Sequence, residues 1–414
     1  DQTAGKVVVL VAPRGGGGGR GGRGANPAAQ FPNAAAIVMV GGEQLSPQQI
    51  AALRQPSIGL KVSNEVPGTI NVTTSTAQKL LGVPSLDGLA KGTIGKTVHG
   101  AIVFDEIPAP TRNVVALLPG SDPKLRGEYV AIGAHSDHIG MRPAGVDKDS
   151  LRAYNTAREA ITMSLTNGQR ATPEQLSMIK VNMDSIRKLY PVARRDSINN
   201  GADDDGSGSM AVLEIAEAFA KSSAKPKRSI LFVWHTGEEK GLLGSRWFTD
   251  HPTVERDSIV AQLNIDMIGR GGTADALVGT TKEGEHVKGT PDYLELVGSR
   301  RLSTELGDMV ETVNTDKKLG LTFDYTMDAN GHPENIYCRS DHANYARFGI
   351  PIVFFTTGLH KDYHQLTDEP QLIDYPHFAR VTQLVYDMAQ RVANLDHRVV
   401  VDKPKPDPTA ACRQ

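Results

Sequence analysis

The stretch Asn200-Gly201-Ala202-Asp203-Asp204-Asp205-Gly206-Ser207-Gly208 constrains this chain more than any other. Three adjacent carboxylates repel one another, and a fold that gathers them needs something to offset the charge. A solvated acidic turn is the ordinary fate of such a run. A calcium loop would need Asp-x-Asp-x-Asp spacing and a closing Glu, and both are missing. The residues after the run favour neither. Val212, Ile215, Ala216, Phe219 and Ala220 fall at i, i+3, i+4, i+7 and i+8, one apolar stripe of a helix. Glu217 and Lys221 are spaced for an ion pair across one turn. Gly206 and Gly208 let the backbone approach another group closely. A carboxylate held on a tight loop at a helix N-terminus is well placed to be aimed at a metal ion.

The whole chain bounds the other possibilities. Its 414 residues suffice for two or three domains, and its net charge of −2 supplies no basic field for nucleic acid or an anionic membrane. The only cysteines, Cys338 and Cys412, do not suggest a disulfide framework or fix a compartment. No apolar run approaches the ~20 residues that span a bilayer. No signal peptide is visible. The chain enters a strand soon after Asp1, as though in mid-domain, so a missing targeting segment carries little meaning.

Residues 1–97 read as a small α/β unit. Val7–Val11 and Ala36–Val40 are buried strands, Ser46-Pro47-Gln48-Gln49 opens a helix with a capping box, and Ser75–Leu81 is a further short helix. The Gly/Arg run 14–24 reads as a flexible surface loop rather than a nucleic-acid contact, because one short run in a near-neutral chain carries little. From 98 onward longer strands predominate. Ile102–Phe104 and Asn113–Leu118 are followed by Tyr129–Ala134, which runs into His135-Ser136-Asp137-His138. Residues 141–198 interrupt the pattern with a helix over Ser150–Leu165. A second begins at the capping box Thr172-Pro173-Glu174-Gln175 and has Leu176, Ile179, Met183, Ile186 and Leu189 on one face. This helical insertion is either surface decoration or a wall over the site.

Ile230–Trp234 then empties into His235-Thr236-Gly237-Glu238-Glu239, Ile259–Ile265 delivers Asp266, and Ile352–Phe355 leads to His360-Lys361-Asp362-Tyr363-His364. Helices are predicted over Asp292–Leu306 and Pro376–Leu395, and residues 396–414 form a tail that is disordered by composition. Strands alternating with helices define an α/β fold with a mixed, mostly parallel central sheet flanked by helices. In such sheets ligands bind beyond the carboxyl ends of strands. Four strand ends and the acidic loop there present His135, Asp204, Glu239, Asp266 and His364, an N/O set suited to zinc. Five ligands exceed one tetrahedral zinc but suit two that share one carboxylate.

These residues resemble a known family. His135-x-Asp137, Gly201-Ala202-Asp203-Asp204-Asp205-Gly206-Ser207-Gly208, Gly237-Glu238-Glu239, Asn264-Ile265-Asp266-Met267 and Tyr363-His364 are similar to the motifs of the co-catalytic di-zinc exopeptidases. That family includes secreted bacterial leucyl aminopeptidases, glutamate carboxypeptidase II and glutaminyl cyclase. Arg339-Ser340-Asp341-His342 and Gly349-Ile350-Pro351 also look like it, and the resemblance covers roughly residues 100–395. The part before 98 is similar to a protease-associated domain that lacks its start.

The resemblance implies a zinc peptidase domain over 98–395 and two Zn²⁺ per chain. Asp204 would bridge them, His135 and Asp266 would complete one site, and Glu239 and His364 the other. Glu238 matches the general base, Asp137 the carboxylate that orients His135, and Tyr363 a tyrosine that hydrogen-bonds the developing oxyanion. The Asp204–Asp205 peptide would be cis. Asp203 and Asp205 would support the ligands or face solvent rather than join the ligand set. His138, His235, His342 and His360 would be structural or pocket-lining, and Arg339 and Asp341 would brace the site.

The implied activity is that of an exopeptidase, an aminopeptidase first of all, acting on peptides outside the cytoplasm: secreted, periplasmic or at the cell surface. The alternatives are a carboxypeptidase, a one-zinc glutaminyl cyclase-like acyltransferase, and a ligand-deficient binding protein like transferrin receptor.

Overall fold

The computed structural model describes residues 2–11, 30–45, 50, 58–60, 67–101, 107–165, 169 and 171–414. The Gly/Arg run 14–24, the capping box at 46–49 and the strand expected over 102–104 lie outside the described residues. The chain divides after Pro110 into two units.

The first unit holds a three-stranded parallel sheet, β1 (Val7–Leu10), β2 (Ala36–Val40) and β3 (Gly68–Val72), with β2 central. Helix α1 (Thr74–Leu81) starts at Thr73, whose hydroxyl accepts from the Thr76 N–H, and stops at Gly82, whose φ of 69° suits glycine.

The second unit is built on a seven-stranded sheet. In chain order its strands are β4 (Val114–Leu118), β5 (Tyr129–His135), β8 (Ser229–His235), β9 (Ile259–Ile265), β12 (Tyr293–Val297), β13 (Thr322–Asp324) and β14 (Ile352–Thr356). Their spatial order is β13-β12-β14-β9-β5-β8-β4. The four pairings β5–β8, β5–β9, β9–β14 and β12–β13 are parallel, whereas β4–β8 and β12–β14 are antiparallel. The sheet is thus mixed and mostly parallel, as the alternation of strands and helices predicts. Two short ladders, β6 (Met141–Asp147) with β7 (Arg195–Ile198) and β10 (Gly279–Thr280) with β11 (His286–Val287), stand apart from it.

Both faces of the sheet are covered, which is why its central strands are apolar at successive positions. On one face, Val130, Ile132, Leu263 and Val353 meet Val212, Ile215 and Phe219 of α5 (Gly206–Lys221) and Val381, Leu384, Val385 and Met388 of α9 (Tyr375–Asn394). On the other, Ala131, Leu231 and Val233 meet Phe248 of α6 (Leu243–Asp250) and Tyr345 and Ala346 of α8 (His342–Ala346). The stripe predicted on α5 centres on Ala211, Val212, Ile215 and Phe219, while Ala220 is exposed. Glu217 and Lys221 form their ion pair on the exposed side.

Residues 148–189 form α2 (Lys148–Ser164), α3 (Pro173–Ser177) and α4 (Met183–Leu189) between β6 and β7. The capping box at Thr172 is present, but the single apolar face expected from Leu176 to Leu189 is split between two short helices, with Met183 and Leu189 exposed.

One other expectation is corrected. The helix predicted over Asp292–Leu306 is instead β12, and a helix, α7, runs over Thr304–Asp316 from its N-cap Ser303. Tyr293–Val297 is buried at every position, so its apolar run serves a strand covered on both faces rather than a helix with one wet side. The terminal segment, expected to be disordered, has tertiary contacts at several points. Val399 is buried in the core, Val400 N–H donates to Glu305, and Gln414 donates from its backbone to Asn335 Oδ1 and accepts from Tyr337 N–H. Cys338 and Cys412 are joined in a disulfide across 74 residues of sequence. Composition foresaw none of these tertiary anchors. Closing so long a loop removes roughly 2–4 kcal/mol of unfolded-chain entropy. A Cys412→Ser variant is therefore expected to melt several degrees below the parent in a circular-dichroism scan; identical melts would mean that the bridge constrains nothing.

Candidate metal centre

The parallel strands end on one edge of the sheet and deliver their side chains there. His135 is the last residue of β5, Asp266 follows β9 directly, and Glu238 and Glu239 follow β8 after a turn at Gly237, whose φ is 67°. His364 lies in the turn after β14 with a left-handed φ of 58°. Asp204 comes from the loop before α5, where the Asp204–Asp205 peptide is cis.

The flanking aspartates hold that loop. Asp205 Oδ1 accepts from Gly208 N–H at 2.9 Å and Met267 N–H at 3.2 Å, and its Oδ2 accepts from His135 N–H at 3.1 Å. Asp203 Oδ1 accepts from Gly269 N–H at 2.6 Å and from the Ser207 hydroxyl at 2.9 Å, while its Oδ2 faces His360 Nε2 at 3.2 Å. Both are buried and committed to the protein, which leaves Asp204, itself buried, to face His135 and His364. A Cβ on Gly208 would sit 2.3 Å from Asp205 Oδ1, so only glycine fits where that helix begins.

Asp204 lies between two groups of donors. Its Oδ1 is 3.1 Å from His135 Nε2, which is 3.7 Å from Asp266 Oδ1. Its Oδ2 is 3.0 Å from His364 Nε2, which is 3.1 Å from Glu239 Oε2. His138 Nδ1 approaches Glu239 Oε1 at 2.8 Å and Asp204 Oδ2 at 3.8 Å. The sets His135, Asp204, Asp266 and His138, Asp204, Glu239 are each compact enough to hold a metal ion. His135 Nε2, Asp204 Oδ2, Glu239 Oε1 and both ring nitrogens of His138 are buried without a hydrogen-bond partner. Buried polar atoms that converge without bonding one another fit a cation placed among them.

All five residues expected as ligands are thus brought together, and His138 joins them. Its one signal in the sequence was its position three residues after His135. His235, His342 and His360 are instead held in buried contacts with Tyr345, Tyr337 and Asp203, respectively. Asp137 is placed differently from expectation. His135 Nδ1 meets its main-chain carbonyl at 2.9 Å, whereas its carboxylate, 3.9 Å from that nitrogen, accepts from Glu238 N–H at 3.1 Å. A carbonyl only accepts, so Nδ1 carries the proton and Nε2 is left free to ligate. Nothing in the sequence marks Asp368, whose carboxylate accepts from the N–H groups of both Asp203 and Asp204.

Glu238 lines a pocket with Asp204 and Asp266, walled by Met327, Ile336, Phe354 and Leu359. Burial pushes its carboxyl well above the ordinary range; His135 opposes this, and the Asp266 and Asp341 carboxylates reinforce it. Tyr363 and Arg339 lie on the same wall, where Arg339 donates to the Tyr363 hydroxyl at 3.3 Å and the Tyr363 ring stacks on His364. Burial and then the Asp204 carboxylate push the Tyr363 hydroxyl upward, so it stays a protonated donor.

A sheet whose carboxyl edge carries two donor groups sharing one aspartate defines a metal-binding α/β protein. The chain belongs to peptidase family M28, whose profile matches residues 164–389. It is 43% identical over 77 residues to leupeptin-inactivating enzyme 1 of Streptomyces exfoliatus, covering 18% of each chain. It is 30% identical over 221 residues to leucine aminopeptidase 1 of Coccidioides posadasii (strain C735), covering 49% of this chain and 51% of that one. The chain therefore spans about half, or less, of the length of these curated relatives. Among solved structures, the aminopeptidase from Aneurinibacillus sp. strain AM-1 is similar at a TM-score of 0.45 and 16% identity, over 98% of this chain and 73% of that chain.

The charge balance predicts how the centre responds to pH. Burial lowers the His364 imidazole, but Asp204 and Glu239 outweigh it and bring it up to about 9. Burial lowers His135 likewise, and Asp266 and Asp204 outweigh it there too. Below those values the imidazoles hold protons that a metal ion must displace. Zinc affinity is expected to rise from pH 6.5 to 8.5, by up to ~tenfold per unit for each proton released. Calorimetric titrations in buffers of different ionisation enthalpy measure that release; a flat affinity across the range contradicts it.

Proposed function

We propose that the protein is a zinc-dependent exopeptidase that removes N-terminal residues from peptides. The observation that carries this reading is the Asp204 carboxylate, with one oxygen turned to each donor group and Glu238 beside it. His135 and Asp266 would hold one zinc, Glu239 and His364 the other, with Asp204 between. His138 is close enough to Glu239 to fix its carboxylate. Bound zinc would supply a water made nucleophilic at neutral pH and a Lewis-acid hold on the scissile carbonyl.

The chain's own residues do the rest. Glu238 takes the proton that the attacking water loses and returns it to the amine that leaves as the C–N bond breaks. Tyr363, steadied by Arg339, donates to the carbonyl oxygen as negative charge gathers there. The apolar wall of Met327, Ile336, Phe354 and Leu359 suits an aliphatic side chain at the substrate's N-terminal residue, in keeping with the leucine aminopeptidases among the relatives. The Cys338–Cys412 bridge supports an oxidising compartment, hence secretion or a periplasmic or cell-surface location. The first unit is read as a protease-associated-like accessory domain, on the strength of its small parallel sheet and short helix.

Peptides with a free N-terminal leucine are expected to be cleaved and their N-acetylated counterparts left intact; the reverse preference would rule out an aminopeptidase. Glu238→Gln is expected to retain zinc and KM while kcat falls at least ~10²-fold. Glu239→Gln should lose zinc instead, because a neutral amide is a poor ligand. Zinc analysis of both variants settles the pair, and loss of metal from Glu238→Gln alone would reverse the two roles.

A further inference from the structure

Helix α2 lies before most of the family match, yet one of its faces is spent on the turn that carries His364. Lys148, Arg152, Asn155 and Arg158 succeed one another at helical intervals, and each reaches residues 361–369. Lys148 Nζ and an Arg152 guanidinium nitrogen each lie 2.6 Å from a different oxygen of the buried Glu369 carboxylate. Asn155 Nδ2 donates to Thr367 Oγ1 at 3.1 Å, with both residues fully buried. Thr367 donates in turn to Asp362 at 2.6 Å, and Asp362 pairs with Arg270. Arg158 donates to the Lys361 carbonyl at 2.9 Å, and Lys361 Nζ is 3.6 Å from Glu159. The helix is itself moored, because Asp149 accepts from Arg194 at 2.9 Å.

His364 needs such support. It sits in a left-handed conformation that non-glycine residues seldom adopt, and its side chain is one-third exposed. No strand or helix fixes its backbone. The same turn carries Asp368, which accepts from the Asp203 and Asp204 N–H groups and so ties His364 to the acidic loop.

We propose that Lys148, Arg152 and Asn155 are positioning residues for His364, so that the inserted helix sets metal affinity on the Glu239 side of the centre. This rests on His364 being a ligand, as in the function proposed for the site. Loosening this turn would let the imidazole move from Asp204 Oδ2 and Glu239 Oε2, whereas the His135–Asp266 side is built on strand ends.

The test is a Zn²⁺ titration of the full chain against a chromophoric chelator, with His364→Ala marking which binding step belongs to that histidine. In the double variant Lys148→Gln, Arg152→Gln the same step is expected to weaken ~10–100-fold, the scale of lost support around a ligand, with the other step unchanged. Asn155→Ala removes one hydrogen bond and no charge, should weaken the same step, and carries the test if the double variant does not fold. Arg152→Lys keeps the cation and should bind zinc as the parent does. Unchanged affinity in both Asn155→Ala and the double variant, or an equal loss at both steps, overturns the proposal. Should His364→Ala leave both steps intact, the ligand assignment itself falls, and with it the brace.

Discussion

Positive charge must reach a set of carboxylates that the fold has buried, and the rest of the site answers that demand. Asp203, Asp204, Asp205, Asp266 and Asp341 are all nearly inaccessible. Isolated, such charges would be driven to neutralise. Asp205 is held well above its ordinary range by burial and then by Asp266, and Asp341 is pushed up to about 7 by burial. Asp204 is instead held down, because His135 and His364 outweigh its burial. Protons on imidazoles and metal cations are therefore alternative occupants of one electrostatic niche. The neighbours that raise the imidazoles are the ones that make the niche attractive to a divalent ion.

The scaffold meets this demand with two kinds of support. Parallel strands place His135 at the end of the β5–β8 ladder and Asp266 directly after the β9–β14 pairing. The acidic loop is fixed by its own neighbours, with Asp203 and Asp205 each spending both oxygens on contacts that aim Asp204 between them. His364 lies in neither a strand nor a helix; its turn is held against the acidic loop by Asp368 and by side chains from a distant part of the chain. The two halves of the centre are thus held by different means although they share a ligand.

Much of this could be read from the sequence, and the reasons are local. His135, Asp204, Glu239 and Asp266 each adjoin a strong strand or helix signal, so finding the element found the side chain. His364 follows β14 at a short remove. What escaped was set by contacts distant in the chain. His138 acquired its place from Glu239, a hundred residues on, and Asp137 turned its carboxylate to the Glu238 backbone instead of to His135. β12 looked helical because an apolar run does not say on how many sides it will be covered. The tail looked disordered because Pro, Lys and Asp dominate it, whereas one cysteine and one glutamine decide its course.

That tail also governs the timing of assembly. Cys338 adjoins Arg339 and Ser340 in the pocket wall, and Gln414 accepts from the N–H of Tyr337 on the same short segment. During synthesis Cys412 is added 74 residues after its partner, about 4–15 s later at ordinary rates of chain growth. The wall of the cavity that would receive a substrate side chain is therefore tied to a cysteine made much later, and that tie forms only where thiols can be oxidised.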